Sequence, residues 1–397
     1  MDMDIKYSIE DEEGSLIEFN VAMKKGTSII DELRILLVAD GQKIHISDQI
    51  KIMFDKLKDQ GIENIKSLLI EDGITTIAPS SFAKIDIKID QVCWPASCTV
   101  IPDHCFYDSN IESITGTDFV TTIGEGAFQC SRLKTFKWPP LCREIPPSCF
   151  SLSSLEDITG IDNTTEIGDF AFEYSRIKMF HWPIACNKIP INCFYKTPLE
   201  KITGMKKVDA IGRSAFGGTK IKSINWPQKC KTIPEYCFCS SSLKKITGID
   251  EVEAIEDAAF ANTSLQTFFW PPKCDTIPEK CFYHTPLESV VGLEGVKEIM
   301  SEAFYKTKLT SFILYPNCTK IKDDTFCYTE IRELKVIGKG EIINFDMSFF
   351  KCWTMNQFEK LEKIDMSDCA GVITSNKDEF IYKQIKNKLI VPYYGVF

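Results

Sequence analysis

Seventeen cysteines and four histidines are the residues of this 397-residue chain best equipped for chemistry, whether disulfide cross-linking, zinc ligation or nucleophilic attack by a thiolate. Their spacing points away from all three. His45, His104, His181 and His284 are scattered, and no Cys-x-x-Cys pair seeds a zinc site; His104 beside Cys105 is a single adjacent pair. The cysteines fall instead into two columns. Cys98, Cys142, Cys186, Cys230, Cys274 and Cys318 recur every 44 residues, and the intervening equivalents are Val120, Thr164, Val208, Val252 and Val296. Cys105, Cys149, Cys193, Cys237 and Cys281 alternate in the same way with Ala127, Ala171, Ala215, Ala259 and Ala303. A position that accepts valine or alanine is a core position, so these thiols read as small hydrophobes. Equivalent cysteines two strands apart would be roughly 10 Å from each other, beyond the ~7 Å Cα separation a disulfide spans. A bridge inside one coil, such as Cys142 to Cys149, stays open. Free thiols fit a reducing compartment. The sequence contains no Walker loop, no Gly-x-Ser-x-Gly elbow and no His-Glu-x-x-His, so no catalytic residue, cofactor or metal site is assigned.

The framework holding these columns is a 44-residue repeat from Ile111 to Ile331, each copy being two related 22-residue units. Phe106, Phe128, Phe150, Phe172, Phe194, Phe216, Phe238, Phe260, Phe282, Phe304 and Phe326 are always 22 apart, with a looser first copy at Phe82. That gives about 12 coils, and a period near 22 names a solenoid. Five residues after each phenylalanine a Leu or Ile opens a short alternating run, as in Leu133-x-x-Phe136-x-Trp138, which reads as a strand. The Ile145-Pro146-x-x-Cys149-Phe150 and Ile167-Gly168-x-x-Ala171-Phe172 segments read as short helical or 3₁₀ turns on the other face. The expected fold is an α/β solenoid, a right-handed superhelix capped at both ends.

At the sixth strand position Trp94, Trp138, Trp182, Trp226 and Trp270 alternate with Gly116, Gly160, Gly204, Gly248 and Gly292, which predicts indoles stacked between positions without side chains. Leu314 and Val336 replace the next pair. The second position, Glu112, Lys134, Glu156, Lys178, Glu200 and onward, predicts a ladder of opposite charges. The fifth runs Thr115, Lys137, Thr159, His181, Thr203, Asn225, Thr247, Phe269, Val291 and Ile313. Three successive apolar groups on a solvent face either pack under the C-terminal segment or receive a partner. His181, Asn225, Phe269, Val291 and Ile313 are the candidate partner-binding residues.

The ends read as caps, with residues 1–64 before and 351–397 after a solenoid of 65–350. Ile5, Tyr7 and Ile9 with Ile17, Phe19 and Val21 suggest a hairpin. Ser28 with Asp31 suggests the start of a helix through Leu33, Leu36 and Leu37, and Ile50, Met53, Phe54 and Leu57 a second helix stopped at Gly61. Near the C-terminus a helix is expected from Met347 to Leu361, then a strand at Leu361, Ile364 and Met366. Net charge is −10 with basic residues dispersed among carboxylates, which argues against nucleic acid. No stretch approaches the ~18–20 apolar residues of a membrane span, and the acidic N-terminus lacks a signal-peptide pattern.

The Ile-x-x-x-Ala-Phe turn, the five-residue step to Leu and the strand ending in Trp138-Pro139 resemble the BspA-type, or Treponema pallidum-type, leucine-rich repeats. The Trp-Pro-x-x-Cys-x-x-Ile-Pro-x-x-Cys-Phe variant is similar to sets expanded in parasitic protists such as Entamoeba. The resemblance covers about 65 to 350 and implies a solenoid used for protein binding, with some members acting as surface adhesins. Two readings follow. One is a non-enzymatic cytoplasmic scaffold binding a protein partner on its strand face; the other is a protist surface adhesin that binds host matrix protein after non-classical export. Partner identity and oligomeric state are left open.

Overall fold

The computed structural model describes residues 2–10, 16–24, 26–37, 48–322, 324–338, 342–346, 353–369, 371–375 and 388–390. The chain divides into two compact units, Met1–Lys207 and Val208–Phe397. Together they hold the solenoid of about twelve 22-residue turns.

The first unit begins with strand β1 (Asp2–Glu10), antiparallel to β2 (Leu16–Lys24), which is antiparallel to β3 (Ile29–Leu37). Helix α1 (Asp48–Asp59) follows, then β4 (Asn64–Ile70) and β5 (Lys88–Cys93). β3, β4 and β5 pair in parallel, so the hairpin extends the same sheet that the repeats continue. The helix expected from Ser28 is therefore strand β3. The strand carries a bulge: Met23 pairs with Ile30 and Ala22 with Glu32, leaving Asp31 over. Past the bulge Leu33 and Ile35 alternate as a strand, both buried. Ser28 Oγ donates instead to Glu63, 3.4 Å away. The second expected helix is α1, with Ile50, Met53, Phe54 and Leu57 buried.

One coil illustrates the rest. Thr135–Lys137 pairs in parallel with Asp157–Thr159, and Glu144–Ile145 with Glu166–Ile167. Between them, the segment from Pro146 to Ser153 forms tandem tight turns in place of the expected helix. Its amides alternate in direction. Cys149, Ser151 and Ser153 donate back within the coil to Pro146, Ser148 and Phe150 at 3.4, 3.1 and 3.2 Å. Ser148, Phe150 and Leu152 donate to Asp169, Ala171 and Glu173 of the next coil at 2.9, 2.8 and 2.7 Å. Every amide from Ser148 to Ser153 is thus satisfied, as buried backbone requires. The alternation demands left-handed backbone two residues before and after each phenylalanine, at φ 54° for Ser148 and 58° for Leu152 here. The 3₁₀ turns lie elsewhere, at Thr117–Phe119, Ile161–Asn163 and Met205–Lys207.

Inside each unit the phenylalanines form a buried stack. In the first, Phe106, Phe128, Phe150 and Phe172 are parallel, with centroids 5.5, 5.4 and 5.8 Å apart. In the second, the column from Phe216 to Phe326 keeps separations of 5.3–5.8 Å. Three residues after each phenylalanine from Phe106 onward stands a Ser or Thr, and those at Ser153, Thr197, Thr219, Thr263 and Thr285 return a hydroxyl bond to the phenylalanine carbonyl at 2.7–2.8 Å. At the far end Glu333–Val336 pairs in parallel with Lys363–Asp365, the expected late strand. Helix α2 (Met355–Lys360) is capped by Thr354 through a capping box with Gln357. The first part of the helix expected from Met347 lies outside the described residues.

Candidate partner-binding surface on the strand face

Strand-face side chains are aimed by what lies beneath them. Each of the five repeat tryptophans, Trp94, Trp138, Trp182, Trp226 and Trp270, is buried and donates its indole N–H to the carbonyl four residues on; Trp138 Nε1 to Cys142 O is 2.8 Å and Trp270 Nε1 to Cys274 O is 2.8 Å. Each also meets a phenylalanine edge-on, Trp138 against Phe150 at 6.2 Å. The alternating glycines do not serve to make room for these rings. Gly116, Gly160, Gly204, Gly248 and Gly292 all have φ between 74° and 90°. A Cβ at Gly160 or Gly292 would stand 3.0 Å from the Trp138 or Trp270 carbonyl oxygen, and at Gly116 it would overlap the Trp94 carbonyl. The glycine therefore turns the chain left-handed under a main-chain oxygen and ends the strand. Val336, in the equivalent place, lacks that turn, and its strand runs on to pair Val336 with Leu314.

Most of the repeating cysteines are core residues. Cys105, Cys149, Cys193, Cys237 and Cys281 are inaccessible, and burial pushes each thiol well above its ordinary pKa. In the other column Cys186 and Cys274 donate to the carbonyls of Thr164 and Val252 at 3.2 and 3.5 Å. Burial raises Cys186 to about 11 and Cys230, Cys274 and Cys318 to about 12. Cys318 is only partly buried. Cys327 is disulfide-bonded. Among the described residues, no group of three or more His, Cys, Asp or Glu side chains could hold a metal ion. Also among them, no helix is long and apolar enough to cross a membrane.

The fifth strand column divides by unit. In the first, His181 is exposed and its Nδ1 lies 2.9 Å from Thr203 Oγ1, beside Met179, which is 72% exposed. Both line a shallow depression of about 440 Å³ floored by Gly160 and Phe180. In the second unit Thr247 Oγ1 donates to Asn225 Oδ1 at 3.1 Å. Phe269 pairs in register with Val291, and Ile313 holds the same place one coil on, paired with Lys335. Phe269, Val291 and Ile313 are 71, 52 and 43% exposed. Phe269, Val291 and Ile313 thus share one face, with Lys335 closing the row, while His181 belongs to the other unit. In the second column one rung of the charge ladder forms, Lys134 to Glu112 at 3.4 Å, and Glu112 is also met at 3.5 Å by Lys88, which stands outside that column. No ion pair among the described residues joins Glu156, Lys178 and Glu200.

Sequence reasoning missed the surface of the turns. There Tyr283 stacks on Tyr305 at 5.0 Å, and Lys306 lies 5.7 and 5.6 Å from the Tyr305 and Tyr328 rings. In the first unit Lys196 lies 5.3 and 5.4 Å from Tyr174 and Tyr195. The signal was legible as tyrosines one and two residues past the repeating phenylalanine.

The stacked coils, parallel two- to four-residue strands and buried apolar columns define a leucine-rich repeat solenoid. A family described as the BspA type leucine rich repeat region (6 copies) matches residues 60–178, 165–287 and 275–370, and the chain belongs to it. Among solved structures it is similar to a leucine-rich repeat protein from Bacteroides ovatus, at 18% identity over 100% of this chain and 99% of that one, with a TM-score of 0.62. A leucine rich cell surface protein from Faecalibacterium prausnitzii is 18% identical over 98% of each chain, with a TM-score of 0.45. No curated protein sequence gives a significant match.

Proposed function

We propose that the chain is a non-enzymatic protein-binding platform that seats a protein partner on the strand face of its second unit, acting as an intracellular scaffold. The observation that carries this reading is the row of Phe269, Val291 and Ile313, three large apolar side chains exposed at the same position of consecutive coils, in a column whose members from Thr115 to Thr247 are polar. Contiguous exposed apolar surface on a folded domain marks contact. The many buried, unbridged thiols support a reducing compartment. The alternative, a cell-surface adhesin, has one observation of its own: the Cys327 disulfide is of a kind that oxidising surroundings preserve.

The experiment is affinity capture from the source cell with wild-type protein, with Phe269→Asp/Ile313→Asp, and with Thr159→Asp as a control on the first unit's strand face. The proposal expects proteins retained by wild type and control to be lost by the double variant at unchanged unfolding midpoint. Retention by all three contradicts it. Protease treatment of intact cells, with a cytosolic protein followed as leakage control, separates the compartments: digestion favours the adhesin and protection the scaffold.

A further inference from the structure

The edge of the first unit's sheet carries a second interaction surface. β1 is the outermost of six strands in the order β1, β2, β3, β4, β5 and Ile114–Thr115, and its only strand partner among the described residues is β2. A nine-residue outer strand leaves a row of main-chain donors and acceptors that β2 does not use. Proteins usually blunt such an edge with proline, a bulge, a very short strand or charged side chains, and of these β1 carries only the charges, at Asp2, Asp4, Lys6 and Glu10. β1 has no proline, pairs with β2 without a register shift, and is among the longest strands of the chain.

We propose that β1 is a homodimer interface, pairing antiparallel with β1 of a second copy about Ile5. The strand's own residue order argues for this occupant. Pairing about Ile5 places Asp4 opposite Lys6 of the partner copy twice over, with Ile5 opposite itself and Asp2 opposite Ser8. Each neighbouring register that keeps the same faces together adds a like-charge pair: centring on Asp4 keeps two Asp2–Lys6 pairs but sets Asp4 against itself, and centring on Lys6 sets Lys6 against itself and Asp2 against Glu10. Like charges directly across an antiparallel pair are destabilising, and opposite charges stabilise it. Asp4 and Lys6 are exposed; Lys6 Nζ also lies 4.0 Å from Glu18 Oε2 of β2, a solvent-exposed contact that contributes little. On the opposite face Ile5 and Tyr7 pair with Val21 and Phe19, which are buried, while they themselves remain half-exposed at the rim of that apolar surface. A second copy continues the sheet and covers them.

The test is sedimentation velocity of the full chain over the micromolar range, using wild type, Lys6→Glu, Asp4→Lys, and an equimolar mixture of the two variants. The wild type is expected to dimerise. Each variant alone opposes like charges at both positions, and its dimer should dissociate roughly tenfold more readily or worse. The mixture restores both attractive pairs, so a heterodimer should form at wild-type concentrations. Unfolding midpoints equal to wild type show that each variant remains folded. The proposal is overturned if the wild type stays monomeric throughout. It is equally overturned if the variants self-associate like wild type, or if the mixture associates no better than its components.

Discussion

Replacing Gly116 by alanine probes the strand-ending turn most sharply. Gly116 has φ 79°, and an added Cβ would meet only main-chain atoms of Trp94, overlapping its carbonyl oxygen. Two costs add. Left-handed backbone costs an L-residue roughly 1–2 kcal/mol, and displacing close-packed neighbours costs about 1–3 kcal/mol more. Gly61 supplies the reference, since at φ 78° nothing lies within 4 Å of its added Cβ, so Gly61→Ala should show the first cost alone. Gly160 falls between, with its nearest contact at 3.0 Å. Urea unfolding should rank the losses Gly61→Ala, Gly160→Ala, Gly116→Ala, from about 1–2 to about 2–5 kcal/mol. Because the obstruction is a carbonyl and not an indole, combining Gly116→Ala with Trp94→Leu should give no rescue, the double variant being less stable than either single one. Equal losses in all three single variants, or clear rescue by the smaller side chain at 94, would refute the reasoning.

Other consequences can be measured directly. Trp138→Ala should lose about 3–5 kcal/mol in the same unfolding assay, from the cavity beside Phe150, whereas an unchanged midpoint would mean the indole is not core. Thiol titration should make the fold alkali-sensitive. Unfolded thiols ionise near pH ~8.5, but Cys230 and Cys274 are held at about 12 in the fold. Their folded pKa values are raised, so stability is complete below the unfolded value and falls as pH rises from there towards about 12. Cys230→Val/Cys274→Val should flatten that fall in unfolding measurements between neutral and alkaline pH; an identical slope would contradict it. Pairing β1 with a second copy should also appear as slowed amide exchange along Asp2–Glu10 at concentrations where dimer forms, and not below them.

The repeat was legible because its anchors are core residues with a fixed period: stacking puts each Phe against the Phe 22 residues on, and nothing but an apolar ring of that size fits. The cysteine columns were legible for the same reason, through their exchange with Val and Ala. The turn conformation was not. Left-handed backbone at Ser148, Phe170, Tyr236 and Ala258 carries no residue signature, because the main-chain bonds between coils impose it regardless of side chain. The glycine column was visible, but its cause was a carbonyl contact that volume reasoning does not register. β3 was misread because Ser28 and Asp31 imitate a helix start, while the buried alternation of Leu33 and Ile35 is short. Of the candidate surface, the apolar row could be read from alternation, while the tyrosine and lysine contacts on the turns depended on a geometry the sequence did not declare.

A protein partner seated on the strand face of the second unit should be caught by a photo-crosslinking residue at Val291, with the same residue at Ser240 on the turns as comparison. Irradiation in the source cell should yield a discrete protein adduct from position 291 and none from position 240. Adducts from 240 alone, or none from 291, would contradict the claim.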